Sequence, residues 1–390
     1  MVPFALECPD CGLVSAVAEP PPGVNACCPR CGAVLWRGTR QPLPAALAWV
    51  VTGTLFYAAA LSGPLLDVQV YGQMRQSSLF SGPQALIEEG WWPLAIVVAA
   101  TTIAAPLAKL LALGAVLLGL KRPNPSHRLA AVFAAAERLG PWVMIDIYLL
   151  GLFVAYTRLT ALALVHVEIA AVALIGLMVA LTMADASLDA QSLRRQLERT
   201  GVVAPRRRAP PDRGSIGRAS ALLVGAAILY VPANIEPMMT VTTPEIATQL
   251  FGYAPSGPYT IMTGVRELIG LGMWPIALLV FCASILIPTL KLVGLAALLV
   301  LTQLGSPAWL VQRTRLYRVL ETSGRWSMVD VFAVSLLVPL MQFGNLGRIT
   351  CEIGTLCFAA VVVLTMLATA AFDPRLMWQA VPGERAVVPA

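Results

Sequence analysis

Taken as a pattern of apolar and polar positions, the chain is a series of long hydrophobic stretches separated by short polar breaks. They run over about 43–66, 91–120, 139–157 and 159–184. After a basic break, four more follow at about 219–240, 273–303, 326–344 and 349–371. Each is continuous rather than alternating, and each reaches the roughly 18 residues a helix needs to cross a bilayer. Backbone in lipid must satisfy its own hydrogen bonds, as a helix or a closed barrel, and the lack of period-two alternation favours helices. The pattern predicts an all-α integral membrane protein with eight spans.

The stretches form two series of four. Trp92, Pro93, Pro106 and Lys109 return as Trp274, Pro275, Pro288 and Lys291, each 182 positions on. Ser81-Gly82 and Leu86-Ile87 correspond to Thr263-Gly264 and Leu268-Ile269. Glu137, Gly140, Trp142, Met144 and Asp146 return as Glu321, Gly324, Trp326, Met328 and Asp330, now 184 apart, and Glu168-Ile169 as Glu352-Ile353. Four spans per copy, an even number, keep both copies in one orientation. The expected organisation is a cysteine-bearing module at 1–40, a four-helix membrane unit at 41–185, an Arg/Pro-rich linker at 186–218, a second four-helix unit at 219–372 and a tail at 373–390.

Composition sharpens this. The chain is 58% hydrophobic and 12% charged, with a mean hydropathy of +0.75, outside the soluble globular range. Net charge is +6, and the basic residues cluster in alternate loops. Arg30, Arg37 and Arg40 precede the first span. Lys121, Arg122, Arg128 and Arg138 lie between spans two and three, eight arginines lie in the linker, and Arg313, Arg315, Arg318 and Arg325 lie between six and seven. The loops after spans one and five are acidic or mixed, with Asp67, Glu88, Glu89, Glu245 and Glu267. The positive-inside rule puts both termini in the cytoplasm. Basic loops in such a chain set orientation, so no nucleic-acid partner is expected. The N-terminus is polar, with no signal-peptide pattern.

The first forty residues hold Cys8-Pro-Asp-Cys11 and Cys28-Pro-Arg-Cys31, with 16 residues between the pairs and a glycine after each. Two such knuckles are the spacing of a zinc ribbon, in which four thiolates close a tetrahedron around one structural ion. A redox or disulfide arrangement of the same cysteines would be expected beside a strand–helix unit, of which this segment has no sign. Reduced thiolates fit a cytoplasmic location.

Ionisable residues inside spans are costly, roughly 2.5–3.5 kcal/mol each on insertion scales. Lys109 and Asp146 in the first copy, and Lys291, Asp330 and Glu352 in the second, are therefore candidate working residues. Helical rise brings Lys109 towards Asp146 and Lys291 towards Asp330, so those pairings are expected. Pairs of this kind also serve simply to fix helix packing. Pro106 and Pro288 free carbonyls near the lysines, at Thr102 and Ser284. Pro232 and Pro237 bracket Asn234 and Glu236, which predicts a broken helix end lining a cavity. There is no nucleotide-binding string or nucleophile elbow, and the two histidines, His127 and His166, are isolated. The chain reads as a non-enzyme.

The paired knuckles, the duplicated four-span pattern, the Tyr-x-Pro-Ala-Asn-x-x-Pro-Met string at 230–238 and the Trp-Pro…Pro…Lys runs together resemble the paraquat-inducible protein A family, which includes the LetA proteins. The resemblance implies a bacterial inner-membrane protein, multi-pass, working with a periplasmic tunnel partner built of MCE domains to move phospholipids between membranes. Because the Pro-Ala-Asn string stands in the second copy alone, polar residues of that copy are expected to line the route. The chain departs from the family in two ways. Residues 200–218 hold no cysteine for a second ribbon, so one metal ion is expected, and the first copy has Ala59-Ala60-Leu61 where the second has Pro-Ala-Asn. The first copy is therefore expected to be mainly scaffold. The competing readings are a proton-coupled transporter of a small amphiphile and a zinc-stapled scaffold without cargo.

Overall fold

A computed structural model describes residues 4–18, 20–38, 43–70, 73–122, 128–160, 164–188, 193, 210–242, 256–341 and 348–380. Arg40, His127, Glu245, the linker arginines at 194–208 and residues 381–390 lie outside the described residues.

The apolar stretches fold as helices: α1 (Leu43–Ser62), α2 (Ser81–Glu88), α3 (Trp92–Ala99), α4 (Ala105–Gly119), α5 (Arg128–Leu139), α6 (Ile145–Thr160) and α7 (Ile169–Ser187). The second series is α8 (Gly214–Ile235), α9 (Ile261–Gly270), α10 (Trp274–Phe281), α11 (Ile287–Gln303), α12 (Leu310–Ser323), α13 (Val329–Leu340) and α14 (Ile353–Ala371). Among the described residues, seven helical stretches are long and apolar enough to cross a membrane, which makes this a multi-pass membrane protein. The segment expected at 326–344 falls short of that length. Only α13 is helical there in the α sense, over 12 residues, and the helix before it, α12, is charged. α13 is nonetheless buried along its whole length except at Pro339.

The all-α expectation needs correction, because the ends of several apolar runs are strands. β5 (Leu66–Val70) pairs antiparallel with β6 (Gln73–Ser77) and with β7 (Leu164–Val167). In the second series β8 (Met239–Thr242) pairs with β9 (Gly257–Tyr259) and β10 (Arg348–Cys351). Each strand before α7 and α14 takes the first residues of a run read as helix, so His166 lies in a strand. The physical reason is that these residues leave the helical layer and must pair their backbone elsewhere. The N-terminal module adds two hairpins, β1 (Phe4–Glu7) with β2 (Val14–Val17), and β3 (Asn25–Cys27) with β4 (Val34–Arg37).

Within each series the first helix packs on the last, α1 on α7 and α8 on α14. The two series meet through α6 and α13. There Tyr148 and Phe332 stack edge to face with centroids 5.6 Å apart. Gly151 makes this approach possible. A Cβ at Gly151 would sit 2.9 Å from the Cβ of Phe332.

Candidate functional site

The Trp-Pro…Pro…Lys runs do not form simple kinked helices. In each, a five-residue π-turn separates two α segments: Ala100–Ala104 between α3 and α4, and Cys282–Leu286 between α10 and α11. The cause is the proline at the start of the next segment. Lacking an N–H, it cannot bond the carbonyl four residues back, and the residue before it bonds five back instead: Ala105 to Ala100, Ile287 to Cys282. The wide turn exposes carbonyls, and a tyrosine from the first helix of each series donates to one. Tyr57 Oη reaches the Ile103 carbonyl at 2.7 Å, and Tyr230 Oη reaches that of Ile285 at 3.2 Å. The repeated tyrosines thus bond carbonyls inside the two π-turns, one residue past Thr102 and Ser284.

Around the second π-turn, Ser284 is fully buried and donates a short hydrogen bond to Asp330 Oδ2. Lys291 is 2% exposed, and its Nζ finds no hydrogen-bond partner among the described residues. Its ammonium lies against Gly324, where any Cβ would overlap it. The expected Lys291–Asp330 pair is therefore not formed; Asp330 takes its bond from Ser284 instead. A small cavity of about 30 Å³ borders Asp330 and is lined also by Arg158, Met238, Met239 and Gly264. That is room for about one water molecule, against a lining that is mostly apolar apart from Asp330 and Arg158.

The first series pairs differently again. Lys109 bonds Asp185 Oδ2 at 2.6 Å, not Asp146. Asp146 faces Arg325 across the boundary between the series at 3.7 Å. Thr102, at the position of Ser284, turns back to the carbonyl of Val98 at 2.7 Å. Both expected lysine–aspartate pairs fail because the nearest carboxylate is decided by which helices neighbour each other, and α7 lies against the lysine of α4. Asp185 stands one residue past the stretch read as the fourth span, so the sequence reading missed it.

At the N-terminus, Cys8, Cys11, Cys28 and Cys31 are buried and their sulfurs lie within 4.8 Å of one another. Cys8–Cys31 and Cys11–Cys28 are 3.5 and 3.6 Å apart. Four thiolates about 2.3 Å from a tetrahedral zinc stand about 3.8 Å apart, so the four residues fit a metal ion of that size. Gly12 and Gly32, with φ of +71° and +70°, turn each knuckle, and their amides bond back to Cys8 and Cys28. Hydrogen bonds from Cys11 and Cys8 pull the Cys31 thiol down to about 4, while the same contact pushes Cys11 up. Such an uneven sharing of protons is relieved when a cation takes all four sulfurs.

The ribbon sits on the second series. Arg318 of α12 bonds Asp10 at 2.6 Å and the Cys31 carbonyl at 3.1 Å. Residues Pro374–Ala380, expected to begin a polar tail, instead form a 3-10 turn that clasps the ribbon. Arg375 reaches Glu7 at 3.1 Å, and Arg30 stacks over Trp378 at 4.4 Å.

A family profile described as paraquat-inducible protein A matches residues 43–198 and 216–382. The chain belongs to that family. It is 28% identical over 410 residues to "Intermembrane transport protein PqiA" of Escherichia coli (strain K12), covering 96% of this chain and 95% of that one. It is 27% identical over 403 residues to "Lipophilic envelope-spanning tunnel protein A" of the same strain, with 96% and 91% covered. It is 23% identical over 407 residues to a "Probable intermembrane transport protein" of Haemophilus influenzae, with 96% and 94% covered. These names describe transport and an envelope-spanning tunnel, and none names a reaction. No solved structure matches.

The family's Pro-Ala-Asn string falls at the end of α8. Pro232 lies within the helix, which continues to Ile235. Asn234 Nδ2 bonds the Tyr230 carbonyl at 2.8 Å. Glu236 is the exposed C-cap, and the Pro237 carbonyl accepts from the amide of Gly354 at 3.0 Å. The cavity beside this helix end is bordered by Met238 and Met239, not by the four residues expected there. Glu352 lies at the head of α14 and accepts from Thr240 Oγ1 at 2.9 Å.

Proposed function

We propose that this protein is the inner-membrane subunit of an intermembrane phospholipid transport system, exchanging lipid with a periplasmic tunnel partner built of MCE domains. Two tandem four-helix units make up its membrane part, and both termini lie in the cytoplasm with one structural zinc ion in the ribbon. The observation that carries the reading is the buried group around the second π-turn. An ammonium with no carboxylate against it, a serine-bonded carboxyl and a small, mostly apolar cavity at that carboxyl persist in the interior of a chain whose relatives are named for transport. Buried ionisable groups of this kind are expensive unless used. Working residues on this reading are Lys291, Asp330 and Ser284. Asn234, Glu236, Pro232, Pro237 and Glu352 shape the helix end and sheet where lipid would leave. Lys109 and Asp146 belong to the supporting unit.

The same cluster supports a second reading, a proton-coupled transporter of a small amphiphile, because Asp330 and Lys291 are both ionisable side chains buried in the membrane part. The two are separated by photocrosslinking a radiolabelled phospholipid at positions 230–239 of the protein with its tunnel partner. Lipid transport requires labelling there that Asp330→Asn reduces about tenfold, the scale of one lost charge-assisted contact. Absence of phospholipid labelling at every position in that window would overturn it.

A further inference from the structure

The first series has an opening that the second has filled. Beside Lys109 lies a cleft of about 460 Å³, bounded by α4, α5, the end of α7 and strand β4 of the ribbon. That volume is within the range of small-molecule sites. Its charged lining is balanced, Lys109 and Arg37 against Asp185 and Glu137, and Leu113 and Phe133 give it an apolar wall. Lys109 has 9% of its side chain exposed and Asp185 has 53%, so the buried end of the pair is the cation and the open end the carboxylate.

At the corresponding place in the second series, Ala112 is replaced by Gly294, Ala136 by Leu320, Asp185 by Thr369, Phe133 by Tyr317 and Leu188 by Phe372. Leu320 fits against Gly294, a Cβ at which would lie 3.2 Å from its side chain. Tyr317 packs on Phe372 with centroids 5.9 Å apart and donates to the Thr369 carbonyl at 3.3 Å. The same backbone therefore carries a plug in one series and a charged cleft in the other.

We propose that this cleft binds the headgroup of a zwitterionic phospholipid of the ethanolamine type. Its phosphate would sit between Lys109 and Arg37 and its ammonium against Asp185. A purely anionic headgroup would meet both carboxylates, whereas a zwitterion matches each charge in turn. Leu113 and Phe133 cover the glycerol end, and the acyl chains stay in the surrounding lipid. The proposal rests on the reading above that phospholipid is what this protein handles, and it assigns the first series a loading or holding site.

The test uses the full chain, purified and placed in nanodiscs without a partner. A phosphatidylethanolamine with a diazirine near the glycerol is irradiated and the labelled peptides are mapped. The wild type is expected to be labelled on residues 34–37 and 128–140, above the lipid-facing surface at Leu111 and Leu118. Unlabelled phosphatidylethanolamine should compete about tenfold better than phosphatidylglycerol, one charged contact's worth. Lys109→Gln with Asp185→Asn should cut labelling about tenfold, for the same reason. Ala112→Gly with Ala136→Leu, which imports the plug, should abolish it with every charge intact. Labelling no denser than at Leu111, equal competition by the two lipids, or labelling indifferent to both double variants would each overturn the proposal. Because no transport is measured, failure here leaves the transport reading standing, and a failure of transport leaves this binding measurable.

Discussion

The two lysines that end the repeated runs occupy the same position in the same kind of broken helix, yet their surroundings differ. Lys109 holds Asp185 at 2.6 Å and faces an open cleft. Lys291 is sealed at 2% exposure against Gly324, with its neighbouring carboxyl bonded to a serine instead. Pairing removes most of the cost of burying a charge, and leaving it unpaired keeps that cost. Lysines at matching sequence positions thus end in one settled ion pair and one unpaired group. The covering differs too, since the only cysteine ribbon of the chain is seated on the second series through Arg318 and Arg375.

The difference can be broken from several directions. The largest effect is expected from the ribbon. Cys8→Ser with Cys11→Ser should take bound zinc from one ion per chain to none, measured by elemental mass spectrometry. Hydrogen exchange should then rise in β1–β4 and α12 but not in α2, because the ribbon's ion pairs lie on α12 and the C-terminal turn. Equal deprotection of α2 would contradict that seating. Next come two glycines at the joints between the series. Gly82→Ala would bring a Cβ within 2.9 Å of the Ser335 carbonyl, whereas at Gly264 the nearest atom is a terminal nitrogen of Arg158 at 3.2 Å. Backbone cannot yield as a long side chain can, so Gly82→Ala should cost about 1–3 kcal/mol and Gly264→Ala much less. Thermal unfolding in detergent would read the difference. A subtler effect is expected at Gly324. An alanine there displaces the Lys291 ammonium, a flexible end, so lipid transfer should fall while the unfolding temperature moves little. Gly140→Ala, with nothing within 4 Å, should change neither. The smallest effect is at Asp146 and Arg325, a pair more than a third exposed on both sides. Asp146→Asn should cost less than about 1 kcal/mol.

Much of this was legible in the residues. Continuous apolar runs marked the helices, repeated Trp-Pro and Pro-Lys spacings marked the recurring order of elements, and two CxxC knuckles marked a site whose four sulfurs do converge. What escaped has physical reasons. Strands of both small sheets fall in or beside apolar runs read as helix, where Leu164–Val167 and Arg348–Cys351 are too short for period-two alternation to stand out. A proline announces a broken helix but does not say whether the break is a kink or a π-turn, since that depends on how the backbone before it re-registers. The partners of the lysines depend on tertiary neighbours. Helical rise along one span gives depth, not which face meets which, and so Asp185 and Arg325 were invisible while Asp146 and Asp330 looked paired. The clasp at Pro374–Ala380 escaped because Trp378 and Arg375 are ordinary in a polar tail until Arg30 and Glu7 are seen beside them.

The claim at the centre is that the unpaired lysine is the working one. The direct measurement is the rate of fluorescent phospholipid transfer between vesicles bridged by the protein and the proposed tunnel partner, with Lys291→Gln and Lys109→Gln compared at equal protein. The account predicts that Lys291→Gln slows transfer by about tenfold or more, the scale of one lost charged interaction, while Lys109→Gln slows it about threefold at most. Equal losses in the two variants, or a larger loss for Lys109→Gln, would contradict it.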